Sequence, residues 1–331
     1  MHHGDIKPEI AEGLIALRKR IAAANIPPSM LDETINLAIW NIREFGKVHR
    51  TEAAIHYIAE ILGQFDLISI VELRNDLTDL GRVLPILGPS WDIVYSDWIA
   101  DAGGNSERVA YLFDGRAVTF NGLAAEVDAP RKKAATEYLI SKSFWRAPYM
   151  CSFRAGNFDF IVITTHARWG NSIKGRQNEL QMLADWIKTR FKNKYVEDHD
   201  LIVMGDFNVP EIGDNLFKAL TSKGLQIPDA LKKLKVGIAG TVMGSNLNKN
   251  ARYDQILHLP TVKKRFTNNA GTLDFFLDDS KIGELFPGTT MNRLKFSFQI
   301  SDHFPVWVQI KTDIDNERFN QIVQNNRKDI G

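Results

Sequence analysis

Several strand-like segments of this chain end in polar side chains of the types that bind metal ions or transfer protons. The clearest is Leu201-Ile-Val-Met-Gly-Asp206-Phe-Asn208, which sets a carboxylate and a carboxamide side by side where the chain leaves a short apolar strand. Other segments of the same kind deliver Asn41, Glu72 and His166, and a further strand follows Asp302 and His303. The pattern indicates one site assembled from several parts of the chain.

Oxygen ligands dominate this set of residues, and scarcely any sulfur accompanies them. The candidate ligands are Asn41, Glu72, Asp206, Asn208, Asp254 and Asp302. Their oxygens suit a hard divalent cation, Mg²⁺ or Mn²⁺, better than zinc. Such a cation keeps positions free for water and a phosphate oxygen, which hydrolysis of a phosphate ester requires. His166 and His303 add imidazoles that titrate near neutral pH and can transfer protons.

Each of these residues also has a purely structural interpretation. Asn41 could close a turn, Glu72 could be a solvated strand end, and Asp302 could cap a local turn beside a half-buried His303. The turn from Gly205 to Asn208 is equally compatible with a structural role. The inference of catalysis therefore rests on the joint pattern.

Apolar spacing predicts the elements that position these residues. Helices are predicted at 8–24, 52–64 behind a Thr51 cap, 175–191 and 215–222. Strands are predicted at 35–42, 67–71, 91–95, 109–113, 149–153, 158–165, 201–204, 255–259 and 304–310. Short turns join several strands, so the sheets should be mixed or antiparallel. The predicted fold class is α+β, a four-layer α/β/β/α sandwich of two packed mixed sheets flanked by helices.

Composition limits the possible functions. Of 331 residues, 41 are basic and 40 acidic, which gives a formal net charge of +1. There is no global basic field to attract nucleic acid, so any contact with a polyanion must come from local arginines. The single cysteine, Cys151, excludes an intrachain disulfide and fits a reducing compartment. We expect its thiol to pack in the core.

The sequence carries no recognisable targeting or membrane-spanning segment. No apolar stretch approaches the roughly 18 to 20 residues that cross a bilayer. The first eight residues, Met1-His-His-Gly-Asp-Ile-Lys-Pro8, lack the apolar core of a signal peptide. We expect a cytoplasmic protein, with secretion left open if a leader has been lost, and no protein partner can be inferred.

Seven motifs, in order, resemble those of the endonuclease/exonuclease/phosphatase superfamily, and most closely its deoxyribonuclease I-like branch. They are Trp40-Asn-Ile-Arg-Glu-Phe-Gly46, Val71-Glu-Leu-Arg74, Asn105-Ser-Glu-Arg-Val-Ala-Tyr-Leu-Phe113, Thr165-His166, Met204-Gly-Asp-Phe-Asn208, Tyr253-Asp-Gln-Ile256 and Ser301-Asp-His-Phe-Pro305. The resemblance covers residues 35–310 and implies the DNase I-like sandwich. We predict an N-terminal helical extension (1–30), a single catalytic domain (31–312) and a C-terminal helix or tail (313–331), with 261–286 as an insertion.

The resemblance implies a role for each matched residue. Glu72 would be the principal metal ligand, and Asn41 and Asp302 would contribute to the metal and phosphate site. Asp206 and Asn208 would position or activate the attacking water and steady the pentavalent phosphorus. The remaining matches form two pairs, Glu107 with His166 and Asp254 with His303. A carboxylate partner fixes the imidazole tautomer and raises its basicity.

Which histidine is the acid and which the base does not follow from the sequence. We favour water attack assisted on the side of Asp206 and His303. His166 would then protonate or stabilise the leaving oxygen.

Three arginines, Arg43, Arg74 and Arg146, match positions that resemble contacts to the DNA backbone and minor groove in the nuclease branch. Backbone contacts position a duplex without reading its sequence, so low specificity is expected. Each arginine could instead face solvent or form a structural salt bridge. Arg168 and Trp169 follow His166 and predict a bulky, basic loop that could narrow the site or bind a distinct substrate.

The sequence therefore predicts a Mg²⁺-dependent phosphodiester hydrolase, a deoxyribonuclease I-like endonuclease acting on DNA, with Mn²⁺ as a plausible substitute. An enzyme of the same fold acting on abasic DNA, RNA, an inositol phosphate or a phospholipid is the first alternative, because a fold hosts many functions. A catalytically silent binding protein is a second. The intact set of polar residues favours an enzyme.

Overall fold

The computed structural model describes residues 1–100, 105–134, 137–140, 142–233 and 244–328. Its helices are α1 (Pro8–Ala23), α2 (Glu52–Leu62), α3 (Thr78–Leu87), α4 (Ile173–Arg190), α5 (Asn215–Thr221), α6 (Asp229–Lys232), α7 (Ile282–Leu285), α8 (Arg293–Gln299) and α9 (Asp315–Lys328). Short 3₁₀ turns cover Pro260–Arg265 and Asp279–Lys281.

The strands form two large sheets and a small hairpin. They are β1 (Thr34–Phe45), β2 (Leu67–Arg74), β3 (Trp91–Tyr95), β4 (Glu107–Asp114), β5 (Thr119–Glu126), β6 (Arg131–Ala134), β7 (Glu137–Ile140), β8 (Tyr149–Ala155), β9 (Phe158–His166), β10 (Leu201–Asp206), β11 (Asp254–His258), β12 (Phe266–Thr272) and β13 (Val306–Lys311). One sheet has the order β12-β13-β1-β2-β4-β3, the other β11-β10-β9-β8-β5, and β6 pairs with β7. Parallel pairs, β1 with β2 and β9 with β10, sit among antiparallel ones, so both large sheets are mixed.

Alternation along β1 separates two apolar cores, as the pleat of a strand requires. Ile35, Leu37 and Ile39 belong to the core shared by the two sheets, while Ala38 and Trp40 face the core beneath α1 and α2. On the far side, α4 and α5 cover the second sheet. The predicted four-layer α/β/β/α sandwich is confirmed.

The elements that the sequence missed are those with weak or interrupted patterns. Helix α3 contains Gly81 and Pro85, which lower helical propensity, and it forms nonetheless because its apolar face is buried. Strand β5 lies at the edge of its sheet and is largely exposed, so it lacks a continuous apolar run. The segment 261–286, predicted as an insertion, supplies edge strand β12 of the larger sheet.

Helix α1 packs into the core beneath the larger sheet. Leu17 is completely buried, and α1 contacts α2 and α7. Gly13 permits this approach, because the Tyr57 hydroxyl donates a hydrogen bond to the Leu285 carbonyl oxygen directly beside it. The division at residue 30 stays a prediction. Among the residues described, no helix combines the length and apolarity that crossing a membrane requires.

Replacing Gly13 with Ala tests this packing. A Cβ at Gly13 would lie 1.8 Å from the Tyr57 hydroxyl oxygen and 2.3 Å from the Leu285 carbonyl oxygen, so we expect a loss of about 1–3 kcal/mol in the free energy of unfolding. The matched control is Gly81→Ala in α3, where a Cβ meets nothing within 4 Å and helix propensity favours Ala by about 1 kcal/mol. Urea unfolding measures both, and equal stability of the two variants would contradict the packing.

Candidate active site

Strand register brings three functional residues side by side at one edge of the five-stranded sheet. Asp206, the last residue of β10, lies opposite His166 on β9 and opposite Asp254 on β11. Residues directly opposite each other on neighbouring strands share a face of the sheet. All three are buried, so the line His166-Asp206-Asp254 is a row of ionisable groups removed from water.

Irregularities in β1 and β2 bring the second sheet to the same place. The register shifts between Asn41 and Phe45 on β1 and between Ile70 and Leu73 on β2, and Glu72 has a φ of 64°. Bulges of this kind re-aim side chains beside active sites. The Asn41 Nδ2 donates to Glu72 Oε1 at 3.0 Å and to Asp206 Oδ2 at 3.1 Å. One carboxamide thus joins the two sheets at the site.

The first imidazole–carboxylate pair is His303 with Asp254. His303 Nδ1 lies 2.7 Å from Asp254 Oδ2. Burial alone would lower the pKa of His303, but the Asp254 carboxylate opposes burial and raises the pKa well above its ordinary value, with Asp206 adding to the effect. Ser301 fixes the backbone here, because its hydroxyl donates to the Asn41 carbonyl oxygen at 2.6 Å and accepts from the His303 amide at 3.0 Å.

The second pair is His166 with Glu107, at 2.8 Å between Nδ1 and Oε2. Burial disfavours the imidazolium, but Glu107 outweighs it and raises the pKa of His166. Burial equally disfavours the Glu107 carboxylate, yet the positive charges of His166, Arg146 and Arg74 lower its pKa to about 2. This pair is therefore a charged cluster inside the protein.

Asp206 lies between the two pairs. Its Oδ2 is 3.8 Å from His166 Nε2 and 3.9 Å from His303 Nδ1. The other oxygen, Oδ1, accepts a hydrogen bond from the Asn208 amide at 2.9 Å, and the Asn208 Nδ2 donates to the Ala167 carbonyl oxygen at 3.1 Å. The structure thus brings the predicted residues Glu107, His166, Asp206, Asn208, Asp254 and His303 into one cluster.

The predicted metal ligands lie beside this cluster and offer only oxygen. The Oδ1 of Asn41 is buried and accepts no hydrogen bond from any residue that the structure describes, and Glu72 and Asp302 are partly buried. An orphaned carbonyl oxygen next to a carboxylate fits a hard divalent cation. Asp206, Asp254 and His303 also bring ligand atoms within 4.8 Å of one another.

The structure places the three predicted arginines differently from one another. Arg146 and Arg74 are buried, and each forms an ion pair with Glu107, at 2.8 Å and 3.5 Å. Arg43 is partly exposed, stacks 3.9 Å from the centroid of the Phe298 ring and lies 3.4 Å from Asp302 Oδ2. Substrate contact by all three stays a prediction, and Arg43 has the most accessible surface for it.

Sequence reasoning missed the residues that support the site from behind. Arg50 is completely buried and donates to the carbonyl oxygens of Arg43, Glu44 and Val48, which fixes the loop after β1. The Glu44 amide in turn donates to Glu72 Oε2 at 2.9 Å. The contacts of Arg50 and Glu44 have no local sequence signal, because each of them involves a backbone group. Ser301 lies inside the motif Ser301-Asp-His-Phe-Pro305, which is the one sequence signal for its supporting role.

Two packed mixed sheets gather paired carboxylates and imidazoles at one joint site. Solved structures of endonuclease/exonuclease/phosphatase proteins share this fold. A family protein from Bacteroides thetaiotaomicron is 19% identical with a TM-score of 0.53, covering 85% of this chain and 98% of that one. The catalytic domain of human Nocturnin with bound sulfate anion is 17% identical with a TM-score of 0.53, covering 86% and 95%.

A third similar structure is TDP2 from D. rerio, complexed with single strand DNA product. It is 14% identical with a TM-score of 0.53, covering 84% of this chain and 98% of that one. At these identities the likeness establishes the fold, which is the one that the seven motifs implied. No protein-family model matches the chain, and no curated protein sequence does.

Removing the Glu107 carboxylate tests the buried charged pair. The raised pKa of His166 adds stability below about pH 6.5, and this stability is lost as the pH rises through the folded-state value. The lowered pKa of Glu107 adds stability above about pH 4.3 that is lost toward pH 2. Glu107→Gln should therefore lower the free energy of unfolding most near pH 5–6, by about 3–5 kcal/mol. The loss should be smaller at pH 9.

Urea unfolding in chelator at several pH values measures this profile. The control is Asp159→Asn, which breaks an exposed ion pair to Arg154 and should cost no more than about 1 kcal/mol. A loss from Glu107→Gln that is the same at every pH would argue against a charged His166–Glu107 pair.

Proposed function

We propose that this protein is a divalent-metal-dependent phosphodiesterase, a DNase I-like endonuclease that hydrolyses DNA with low sequence specificity. The observation that carries the proposal is the position of Asp206 between two carboxylate-backed imidazoles, 3.8 Å and 3.9 Å away. Hydrolysis of a phosphodiester needs a group that takes a proton from water and one that gives a proton to the leaving oxygen. The site offers both within one buried cluster.

The proton-transfer roles follow from the surroundings of each imidazole. Asp206 accepts hydrogen bonds from Asn41 and Asn208, which orient its carboxylate toward an attacking water. The Asp206 carboxylate would take the proton from the water, and His303 would stand 3.9 Å away as an imidazolium, because Asp254 raises its pKa well above the ordinary value. His166, whose pKa Glu107 raises above its ordinary value, is the imidazole that would give a proton to the leaving oxygen.

The cation would be held by Asn41, Glu72 and Asp302. Bound there, Mg²⁺ or Mn²⁺ would neutralise the negative charge that develops on the phosphate oxygens. The buried Oδ1 of Asn41, which accepts no hydrogen bond from the described residues, supports this assignment. Arg43 would add a fixed positive charge at the same side of the site, since it lies 3.4 Å from Asp302.

DNA as the substrate rests on two supports. The fold-level neighbour TDP2 binds a single strand DNA product, and Arg43 presents a guanidinium beside the predicted phosphate position. Phosphate contacts of this kind hold a strand without reading its bases. The fold alone does not select DNA over RNA, an inositol phosphate or a phospholipid, so a panel of phosphate esters accompanies the nuclease assay.

Nicking of supercoiled plasmid tests the activity. Wild-type protein with Mg²⁺ should nick the plasmid, and chelator should abolish nicking. His303→Ala should lose about 10²–10⁴-fold in rate, because a positioned acid–base group contributes that much, and Glu72→Ala should lose metal-dependent nicking. The control is Glu12→Ala on the exposed face of α1, which should keep full activity. Nicking that survives both site variants would identify a contaminant.

An activated leaving group separates the two histidines. A nitrophenyl ester of thymidine monophosphate leaves without protonation, so His166→Ala should lose about 10²-fold or more on dinucleotides and regain most of its rate on the nitrophenyl ester. His303→Ala should stay slow on both substrates. If His166→Ala is equally slow on both, His166 is not the group that protonates the leaving oxygen.

A further inference from the structure

A cavity of about 220 Å³ lies between the segment before Arg146, the segment after His166 and helix α4. Trp145 and Arg168 line it, and Gly175 and Asn178 of α4 form its floor. Pockets for drug-sized ligands hold roughly 300–1,000 Å³, so this cavity suits a single ring system. Neither Trp145 nor Arg168 has a part in the proton transfers described above.

One wall of the cavity is a cation–π stack of Arg168 on Trp145. The Arg168 guanidinium carbon lies 4.2 Å from the centroid of the Trp145 ring. Gly175 leaves room for it, because a Cβ there would lie 3.0 Å from Arg168 Nη1. Within the part of the chain that the structure describes, no carboxylate forms an ion pair with Arg168. Lys142 lines the same cavity, so its rim is positively charged.

A buried carboxylate holds this wall in place. Glu179 is only 7% exposed, and its two oxygens accept hydrogen bonds from the amides of Trp145 at 2.7 Å and Arg168 at 2.9 Å. A single side chain of α4 therefore ties together two loops. The stack is pre-formed, which removes the entropic cost of ordering it when a ligand binds.

The two loops lead directly into the catalytic cluster. Trp145 precedes Arg146, which forms an ion pair with Glu107, and Arg168 follows His166 by two residues. The cavity is thus lined by residues that flank Arg146 and His166 in the chain. Aromatic and guanidinium planes that line a basic groove are the usual platform for unpaired bases.

We infer that the cavity between Trp145, Arg168 and α4 is a subsite for an unpaired nucleobase flanking the scissile phosphate, so that single-stranded or frayed DNA is the preferred substrate class. The inference rests on the proposed function for the identity of the substrate. The base would lie against the Trp145–Arg168 stack, and Lys142 would offer a contact for a flanking phosphate.

The test compares binding of a labelled thymidine tetranucleotide with that of the same sugar-phosphate chain carrying no bases. Fluorescence anisotropy in chelator measures both dissociation constants without hydrolysis. Wild-type protein should bind the base-bearing strand roughly 10- to 100-fold more tightly, the range expected for stacking of one base. Trp145→Ala should bind both strands equally, Trp145→Phe should keep most of the preference, and Arg168→Gln should lose part of it.

The control is Tyr195→Ala. Tyr195 is 80% exposed and also carries a cation, Lys194, over its ring, but it follows the opposite end of α4 from the cavity. This variant should keep the full preference for bases. Thermal melting identifies any variant that fails to fold. If Trp145→Ala fails to fold, the comparison of Trp145→Phe with Arg168→Gln replaces it.

Equal affinity of the wild-type protein for the two strands would overturn the inference, as would a preference that survives Trp145→Ala. Hydrolysis of a simple phosphodiester is measured alongside. Turnover without base preference would support the proposed hydrolase and contradict the subsite. Base preference without turnover on any ester would support the subsite and contradict the proposed hydrolase.

Discussion

Buried carboxylates that need compensating charge are the constraint on which this structure depends. Glu107, Asp206 and Asp254 are each at most 3% exposed, and isolated ionised groups in such a setting are strongly unfavourable. Compensation comes from two imidazoles, from the arginines that pair with Glu107, and from the Asn41 carboxamide. The raised pKa values of His166 and His303 are therefore a consequence of folding. The groups that hold the site together are the groups that would move protons.

This constraint explains why the site requires the whole sandwich. His166, Asp206 and Asp254 come from three neighbouring strands of one sheet, while Asn41 and Glu72 come from bulged strands of the other. A hydrogen bond between Ser69 and Thr164, 2.8 Å between hydroxyl oxygens, links the sheets behind them. Side chains held on strands are positioned more precisely than side chains on free loops. The loops that do border the site are held by the buried side chains Arg50 and Glu179.

Much of the fold could be read from local patterns. Apolar runs such as 158–165 and 201–204 predicted strands β9 and β10. The Thr51 cap marked the start of α2, where its hydroxyl accepts a hydrogen bond from the Ala54 amide at 3.3 Å. Helix α3 and strand β5 escaped prediction because their stability comes from packing on the larger sheet and from pairing with β8. Propensity is a weak guide where tertiary contacts decide. Strand β12, within the segment 261–286, escaped prediction for the same reason, since it is defined by its pairing with β13.

The sequence alone determined which chemical groups are present and that they stand at strand ends, because residue types and a two-residue period are local properties. It indicated the pairs Glu107–His166 and Asp254–His303 through their resemblance to known motifs, and the structure brings both pairs within hydrogen-bonding distance. Only the tertiary structure decided that Arg74 and Arg146 are buried against Glu107 and that Trp145, Arg168 and Glu179 form a walled cavity. Burial and charge compensation arise between residues far apart in the chain, and no local pattern records them.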